Sequence, residues 1–470
     1  MNVTKKELKD RKLHTEGYPQ RDTTESEEYV GVSANSRITE NNLINTDLQA
    51  DNLLEKILSK DNLNQAYKQV MRNKGAGGID GMQVDELLTH LRQNQKQLLQ
   101  KIKLGKYRPN PVRRVEIPKE EKGKVRELGI PTVVDRVIQQ GIAQVLSPLF
   151  EPQFHDNSFG FRPNKSAHMA LRECQRLADE GYVYVVDMDL EKFFDTVCQS
   201  KLIEILSRTT KDGRVISLIH KYLNAGVLAN GIFHKTPIGV PQGGPLSPLL
   251  SNVVLNELDK ELQARGHKFV RYADDCMILC KSKRGAKRTL ENLIPFIEKK
   301  LFLKVNKEKT KVSHIRYVKF LGYGFYRFRG KCELMLHKDS LMKMKNRLRE
   351  LTNKNNGWSN EFRVMRINQF MIGWVQYFKL ANMKGVLIGI DEWVRRRVRA
   401  IYWKQWKKVK TRYKMISKYA IPEWKVHELA NCRKGTWRAS IMLNSVFTNK
   451  EVASIGYKSF TDYYLKVCVN

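Results

Sequence analysis

The chain of 470 residues contains no run of 18 apolar residues, so no segment reads as a membrane-spanning helix and no membrane partner is expected. Its first residues lack the apolar core of a secretory signal, and the acidic residues among them argue against an organellar transit peptide. Cysteine is sparse and scattered, at Cys174, Cys198, Cys276, Cys280, Cys332, Cys432 and Cys468. No two form a C-x-x-C pair, which excludes a zinc ribbon or a disulfide framework and points to reduced thiols in a cytoplasmic protein. Internal repeats and low-complexity tracts are also absent. Acidic residues are few: 49 Asp and Glu stand against 84 Lys and Arg, a formal net charge of +35. An excess of that size implies a polyanionic partner, and nucleic acid is the usual one.

The charge is uneven. Residues 1–50 hold 7 Lys/Arg and 9 Asp/Glu, whereas residues 341–420 hold 20 Lys/Arg and 4 Asp/Glu. The basic stretch is interleaved with Trp374, Tyr377, Phe378, Trp393, Tyr402, Trp403 and Trp406. That mixture predicts folded helices with a core and a basic surface, not a disordered tail. Residues 1–52 read as a polar extension, and a helical pattern starts at Leu53, Leu54, Ile57 and Leu58. The glycine-rich segment Asn73–Gly81 is either a plain turn or a backbone cradle for phosphate. Residues 113–131 predict a basic β-hairpin, followed by a helix carrying Val134, Val137, Ile138, Ile142 and Val145. Tyr182–Asp189 reads as a buried strand. Phe269–Leu279 reads as two apolar arms joined by a turn with two carboxylates. Beyond about residue 340 the strand patterns stop, and Ile367, Phe370, Met371, Trp374 and Phe378 mark one face of a helix.

Three carboxylates invite a chemical reading. Joining nucleotides calls for divalent ions that activate a 3′-hydroxyl and stabilise leaving pyrophosphate, and carboxylates from separate segments must converge to hold them. Asp274 and Asp275 are neighbours in a turn, where their repulsion is relieved by a cation. Asp189 ends a buried strand, an expensive place for a carboxylate. Asp187 lies two residues earlier on the same face and competes with Asp189 for the first role. Alone, two aspartates in a turn are ordinary turn chemistry.

The flanking residues make the pattern specific. Tyr272-Ala-Asp-Asp275 resembles the Y-x-D-D box of reverse transcriptases. Asp189-Leu-Glu-Lys-Phe-Phe-Asp195 resembles their first metal motif, and Gly239-Val-Pro-Gln-Gly-Gly-Pro-Leu-Ser-Pro248 their P-Q-G box. Arg126–Pro131, Ser158–Pro163, Lys304–Lys311, Phe320–Gly324 and Trp393–Lys407 narrow the resemblance to bacterial group II intron-encoded reverse transcriptase/maturases, over about residues 53–470.

The resemblance implies an α+β right-hand polymerase followed by an α-helical thumb/maturase domain. Fingers would span 53–180, a palm with an antiparallel sheet 181–335, the helical thumb 336–410, and a basic, DNA-binding-like region 411–470. It implies RNA-directed DNA synthesis with two Mg²⁺ ions, Mn²⁺ able to substitute, held by Asp189, Asp274, Asp275 and the Leu190 carbonyl. Lys119, Arg126, Phe194 and Gln242 would contact the incoming dNTP. Phe194 would exclude a ribose 2′-hydroxyl, and Gly243 and Gly244 would let the template approach. Arg395, Arg396, Arg397, Arg399, Lys404, Lys407 and Lys408 would bind RNA. Expected partners are group II intron RNA, an RNA template with a DNA primer, target DNA and dNTPs, in a nucleoid-associated setting. The pattern lacks the paired cysteines and His-Asn-His cluster of the family's endonuclease domain. It also departs at Thr196–Gln199 and at Asn164, where glycine is common. A domesticated relative in repair or phage defence, and a splicing-only maturase, remain alternatives.

Overall fold

The computed structural model describes residues 52–118, 123 and 125–469. The polar N-terminal extension, Lys119 and most of the turn that follows it lie outside the described residues. Two short helices open the fold, α1 (Leu53–Ile57) and α2 (Lys60–Asn73), followed by α3 (Leu87–Lys103). The predicted hairpin is β1 (Val112–Pro118) with β2 (Val125–Ile130), paired antiparallel with Ile117 opposite Arg126. Helices α4 (Val133–Phe150) and α5 (Ala167–Asp179) lead into β3 (Tyr184–Met188). After it come α6 (Phe193–Thr196), α7 (Gln199–Thr209), α8 (Gly213–Leu223), β4 (Val227–Ala229), β5 (Ile232–His234) and α9 (Ser247–Ala264). The hairpin β6 (Lys268–Tyr272) and β7 (Asp275–Cys280) precedes α10 (Lys283–Lys299), β8 (Lys311–His314), β9 (Tyr323–Phe328) and β10 (Lys331–Leu336). Helices alone follow: α11 (Lys338–Leu351), α12 (Asn360–Phe378), α13 (Lys384–Gln405), α14 (Val409–Ile416), α15 (Glu423–Ala430), α16 (Thr436–Met442), α17 (Asn449–Ser454) and α18 (Phe460–Val469).

The central sheet has the order β6-β7-β3-β8, and each of its pairings is antiparallel. Strand periodicity assigns its two faces. Val186, Met188, Phe269, Cys276 and Ile278 enter the core with helix residues such as Leu255, Leu258, Leu293 and Ile297. The opposite face therefore carries Val185, Asp187, Tyr272 and Asp275. A second sheet, β2-β1-β4-β5, adds to the basic hairpin two strands from within the stretch expected to be palm. Short and interrupted by Asn230 and Gly231, both at positive φ, β4 and β5 carry little periodic signal.

The glycine-rich loop is pinned in place. Arg113 donates to the Gly77 carbonyl at 2.9 and 3.1 Å, and buried Arg136 donates to the Ala76 carbonyl. A Cβ on Gly78 would sit 2.5 Å from the Thr132 Cα, so only glycine permits that approach.

The helical C-terminal part joins the sheet region through α12. The Tyr377 carbonyl accepts from the Tyr323 hydroxyl and, at 2.6 Å, from His168 Nε2–H, while the Tyr377 hydroxyl donates to the Leu321 carbonyl at 3.1 Å. Residues 411–469 pack back onto the same helices. Asp391 of α13 accepts from the Phe460 and Thr461 amides at 2.8 and 2.9 Å and from the Ser459 hydroxyl, which caps α18. No described helix is long and apolar enough to cross a membrane.

Candidate active site

Pairing of β3 with β7 sets Met188 opposite Cys276, so Asp189, the next residue, leaves β3 at the end of the sheet where the β6–β7 turn lies. The β6–β7 turn pairs Tyr272 with Asp275 and leaves Ala273 and Asp274 at its tip. Sequence-distant carboxylates thus meet at one end of one sheet. Asp187 shares the face of Asp189 but lies further into the sheet, across from Lys311 on β8.

The tip is held from behind. Ala273 has φ +56°, a left-handed conformation that is costly for a residue with a Cβ. Arg271, on the core face of β6, donates to the Ala273 carbonyl at 2.9 Å and to Asn252 Oδ1 at 3.1 Å. Its remaining donors grip Asp259 of α9 at 2.5–3.0 Å, and Arg271 and Asp259 are both fully buried. Asn252 Nδ2 donates to the Gly160 carbonyl at 2.8 Å. Gly160 in turn lies so close to the tip that a Cβ there would fall 2.2 Å from the Ala273 amide nitrogen. Arg271, Asp259 and Asn252 escape a reading of the sequence because they lie on separate elements, with Asp259 and Asn252 12 and 19 residues from Arg271. The one signal was a lone charged residue in the apolar arm of the hairpin.

Asp189 is braced by the Lys304–Lys311 segment. Its carbonyl accepts from the Asn306 amide at 2.9 Å, and its amide donates to Thr310 Oγ1 at 3.2 Å. Leu190 forms an isolated antiparallel bridge with Val305, made by hydrogen bonds from the residues flanking each of them. That geometry leaves the Leu190 carbonyl pointing away from the bridge. Phe194 is half-buried, its ring 5.2 Å from that of Phe193, and its carbonyl accepts from the Val240 amide at 2.6 Å. This joins the first metal-type motif to the P-Q-G loop.

That loop packs on protein. The Gln242 carbonyl accepts from the Gly129 amide at 2.7 Å. Gly243 has φ +115°, and a Cβ there would sit 2.7 Å from the Gly129 carbonyl oxygen. A Cβ on Gly244 would meet the Gln139 side chain at 2.4 Å. Both glycines thus lie too close to β2 and α4 for a Cβ. The departures from the family pattern have local explanations as well. Asn164 sits at φ +58°, where asparagine is the usual stand-in for glycine. Buried Gln199 donates its amide to the carbonyls of Leu223, Thr236 and Gly239 at 2.9–3.2 Å.

Electrostatics tie these parts together. Burial raises the pKa of Asp274; the Asp189 charge raises it further, while Arg126 and Arg271 oppose the rise. Arg126 of the basic hairpin is thus near enough for its charge to act on Asp274. Asp187 is pushed up to about 6, first by burial and then by Asp189, against the pull of Lys311. Among the described residues no three His, Cys, Asp or Glu side chains close around one point tightly enough to cage an ion unaided. The donor set nevertheless fits a hard divalent cation, because mutually repelling carboxylate oxygens are what such an ion relieves. Mg²⁺ commonly takes only one or two protein carboxylates and completes its shell with phosphate and water.

The basic residues of α13 and its C-terminal flank divide. Lys407 and Lys408 are exposed, and Arg395 is half-buried. Arg396 stacks 3.8 Å from the Trp437 ring centroid, Arg397 bonds to Thr352, and Lys404 to Asn355. Arg399 departs from the expected RNA-facing surface. It is 4% exposed, and its guanidinium is spent on the Phe447 carbonyl at 2.6 Å and Asn449 Oδ1 at 2.7 Å. In a run of arginines on a helix, the position that turns inward follows from helix phase against a neighbour the local sequence does not contain.

An α+β fold with carboxylates from separate segments at the end of an antiparallel sheet defines a palm of the polymerase type. Residues 117–325 match the reverse transcriptase (RNA-dependent DNA polymerase) family, and residues 341–420 match the maturase-specific domain of group II introns. The chain is 32% identical to protein YkfC of Escherichia coli K12, over 60% of this chain and 85% of that one. It is 33% identical to the group II intron-encoded protein LtrA of Lactococcus lactis, over 61% of this chain and 58% of that one. A putative COX1/OXI3 intron 2 protein of Saccharomyces cerevisiae is 27% identical, over 61% of this chain and 40% of that one. The chain thus spans a little over half the length of LtrA. It belongs to the family of group II intron-encoded reverse transcriptase/maturases.

Proposed function

We propose that this protein is an RNA-directed DNA polymerase that also binds group II intron RNA as a maturase. The observation that carries the reading is the sheet register that brings β3, and Asp189 just beyond it, to the end of the sheet where the Asp274–Asp275 turn lies, with the Arg126 charge acting on Asp274. Asp189, Asp274, Asp275 and the Leu190 carbonyl would hold two Mg²⁺ ions, or Mn²⁺ in their place. When bound, such ions activate the primer 3′-hydroxyl and stabilise the pyrophosphate that leaves. The chain's own groups do the rest. Arg126, together with Lys119, draws the triphosphate of a dNTP against the carboxylates by charge. Phe194, fixed by its backbone bond to Val240, presents an aromatic wall where the sugar would lie. Gln242, on a loop bonded to β2, contacts the incoming nucleotide. Arg271 holds the carboxylate turn in its left-handed conformation. Exposed Lys407 and Lys408, with Arg395, offer charge to RNA phosphates. Intron mobility by target-primed synthesis on target DNA, and a nucleoid-associated location, follow as part of the same reading.

Extension of a DNA primer on an RNA template with Mg²⁺ and dNTPs tests it. Native protein should make full-length cDNA, and the Asp274→Ala, Asp275→Ala double variant none. Folded native protein that binds intron RNA but extends no primer would leave only a splicing role.

A further inference from the structure

Phe302 combines two unfavourable features. It lies two residues beyond the C-cap of α10 with φ +56°, a left-handed conformation costly for a residue with a Cβ. Its large apolar side chain is also 56% exposed. The backbone around it is firmly set. The Leu301 and Leu303 amides donate to the carbonyls of Phe296 and Ile297 at 3.2 and 3.1 Å, and both leucines are 2% exposed. With its neighbours anchored in the core, Phe302 is forced outward. In the same stretch of chain Lys299, Lys300, Lys304, Lys307 and Lys309 are all exposed, and they outnumber the exposed carboxylates there, Glu298 and Glu308. An aromatic face set among phosphate-seeking cations is the chemistry of a single-strand nucleic acid platform, in which bases stack and lysines track the backbone.

We propose that Phe302 and these lysines form a binding surface for single-stranded nucleic acid, separate from the polymerase site. The surface adjoins that site through the backbone, since the Lys304 carbonyl accepts from the Glu191 amide at 2.8 Å and the Asn306 amide donates to the Asp189 carbonyl. An unpaired strand of a bound template or primer is therefore the fitting ligand, and an acidic polypeptide the alternative that the test separates. Stacking on the exposed ring offsets the cost of the left-handed backbone only when the strand is bound.

The test is equilibrium binding of labelled single-stranded RNA and DNA oligonucleotides by full-length protein, with excess double-stranded competitor. Native protein is compared with the Phe302→Gly and Phe302→Trp variants. Phe302→Gly should bind about tenfold more weakly, melt no lower than native because glycine suits its φ, and extend a short primer–template at the native rate. Phe302→Trp should keep native affinity. RNA carrying 5-iodouridine should crosslink to a peptide containing Phe302 in the native protein. Native affinity in Phe302→Gly, or a lowered melting temperature, would overturn the proposal. So would equal competition by poly-glutamate with no dependence on Phe302, because the patch would then be electrostatic only. Failure of native protein to extend a primer would remove the polymerase reading and leave the binding result standing.

Discussion

Arg271 and Asp259 meet in the core at 2.5 Å with neither side chain exposed, and the same guanidinium holds the Ala273 carbonyl behind Asp274. A buried pair of this kind contributes little net stability, but losing one partner is severe. Arg271→Met alone should cost about 3–5 kcal/mol, because it strands the Asp259 carboxylate. Arg271→Met with Asp259→Leu should recover most of that loss in urea unfolding. Primer extension should stay impaired in both, since neither restores the hold on Ala273.

Divalent ions should stabilise the native protein through the carboxylates at the end of the sheet. Mg²⁺ or Mn²⁺ should raise the native melting temperature by mass action. That increment should vanish in Asp189→Asn combined with Asp274→Asn. The variant should not melt below native in metal-free buffer, because it removes carboxylates that repel each other. An equal metal-induced rise in the variant would place the ions elsewhere.

The P-Q-G loop should tolerate no Cβ at Gly243. Gly243→Ala meets both a φ of +115° and the Gly129 carbonyl, so the loop must move away from β2. Extension should slow at least about tenfold, given what small misplacements of a reacting site cost. Gly373→Ala, in the interior of α12 with open space around it, should instead stabilise the protein by up to about 1 kcal/mol.

Arginines and lysines near the end of α13 should separate by assay. Arg399→Ala should lower the melting temperature, because it breaks the bonds to Phe447 and Asn449, and should leave the salt dependence of RNA binding unchanged. Lys407→Ala with Lys408→Ala should leave the melting temperature alone. It should flatten the slope of log affinity against log salt by about one unit for each phosphate no longer neutralised.

Much of the fold was legible in local pattern. The apolar alternation of β3 and the β6–β7 hairpin, the period of α4 and α12, and the change from strands to helices beyond residue 340 all follow from side-chain spacing. The short β4–β5 hairpin was not legible, because three-residue strands carry too little periodicity. The inward turn of Arg399 was not legible either, because a run of arginines reports charge and not helix phase.

By itself the sequence determined which carboxylates stand at strand ends, the order of the boxes, the basic excess of the C-terminal helices and the family these imply. Such features are local, set by alternation, turn chemistry and residue type. Only the tertiary structure decided that Asp189 and the Asp274–Asp275 turn share one end of the sheet, that Gly243 and Gly244 lie close against β2 and α4, and that Arg271 grips the carboxylate turn from the core. It alone sent Arg399 inward and Phe302 outward. Each of these depends on a partner distant along the chain, and side-chain spacing records a residue's face without recording what the fold brings against it.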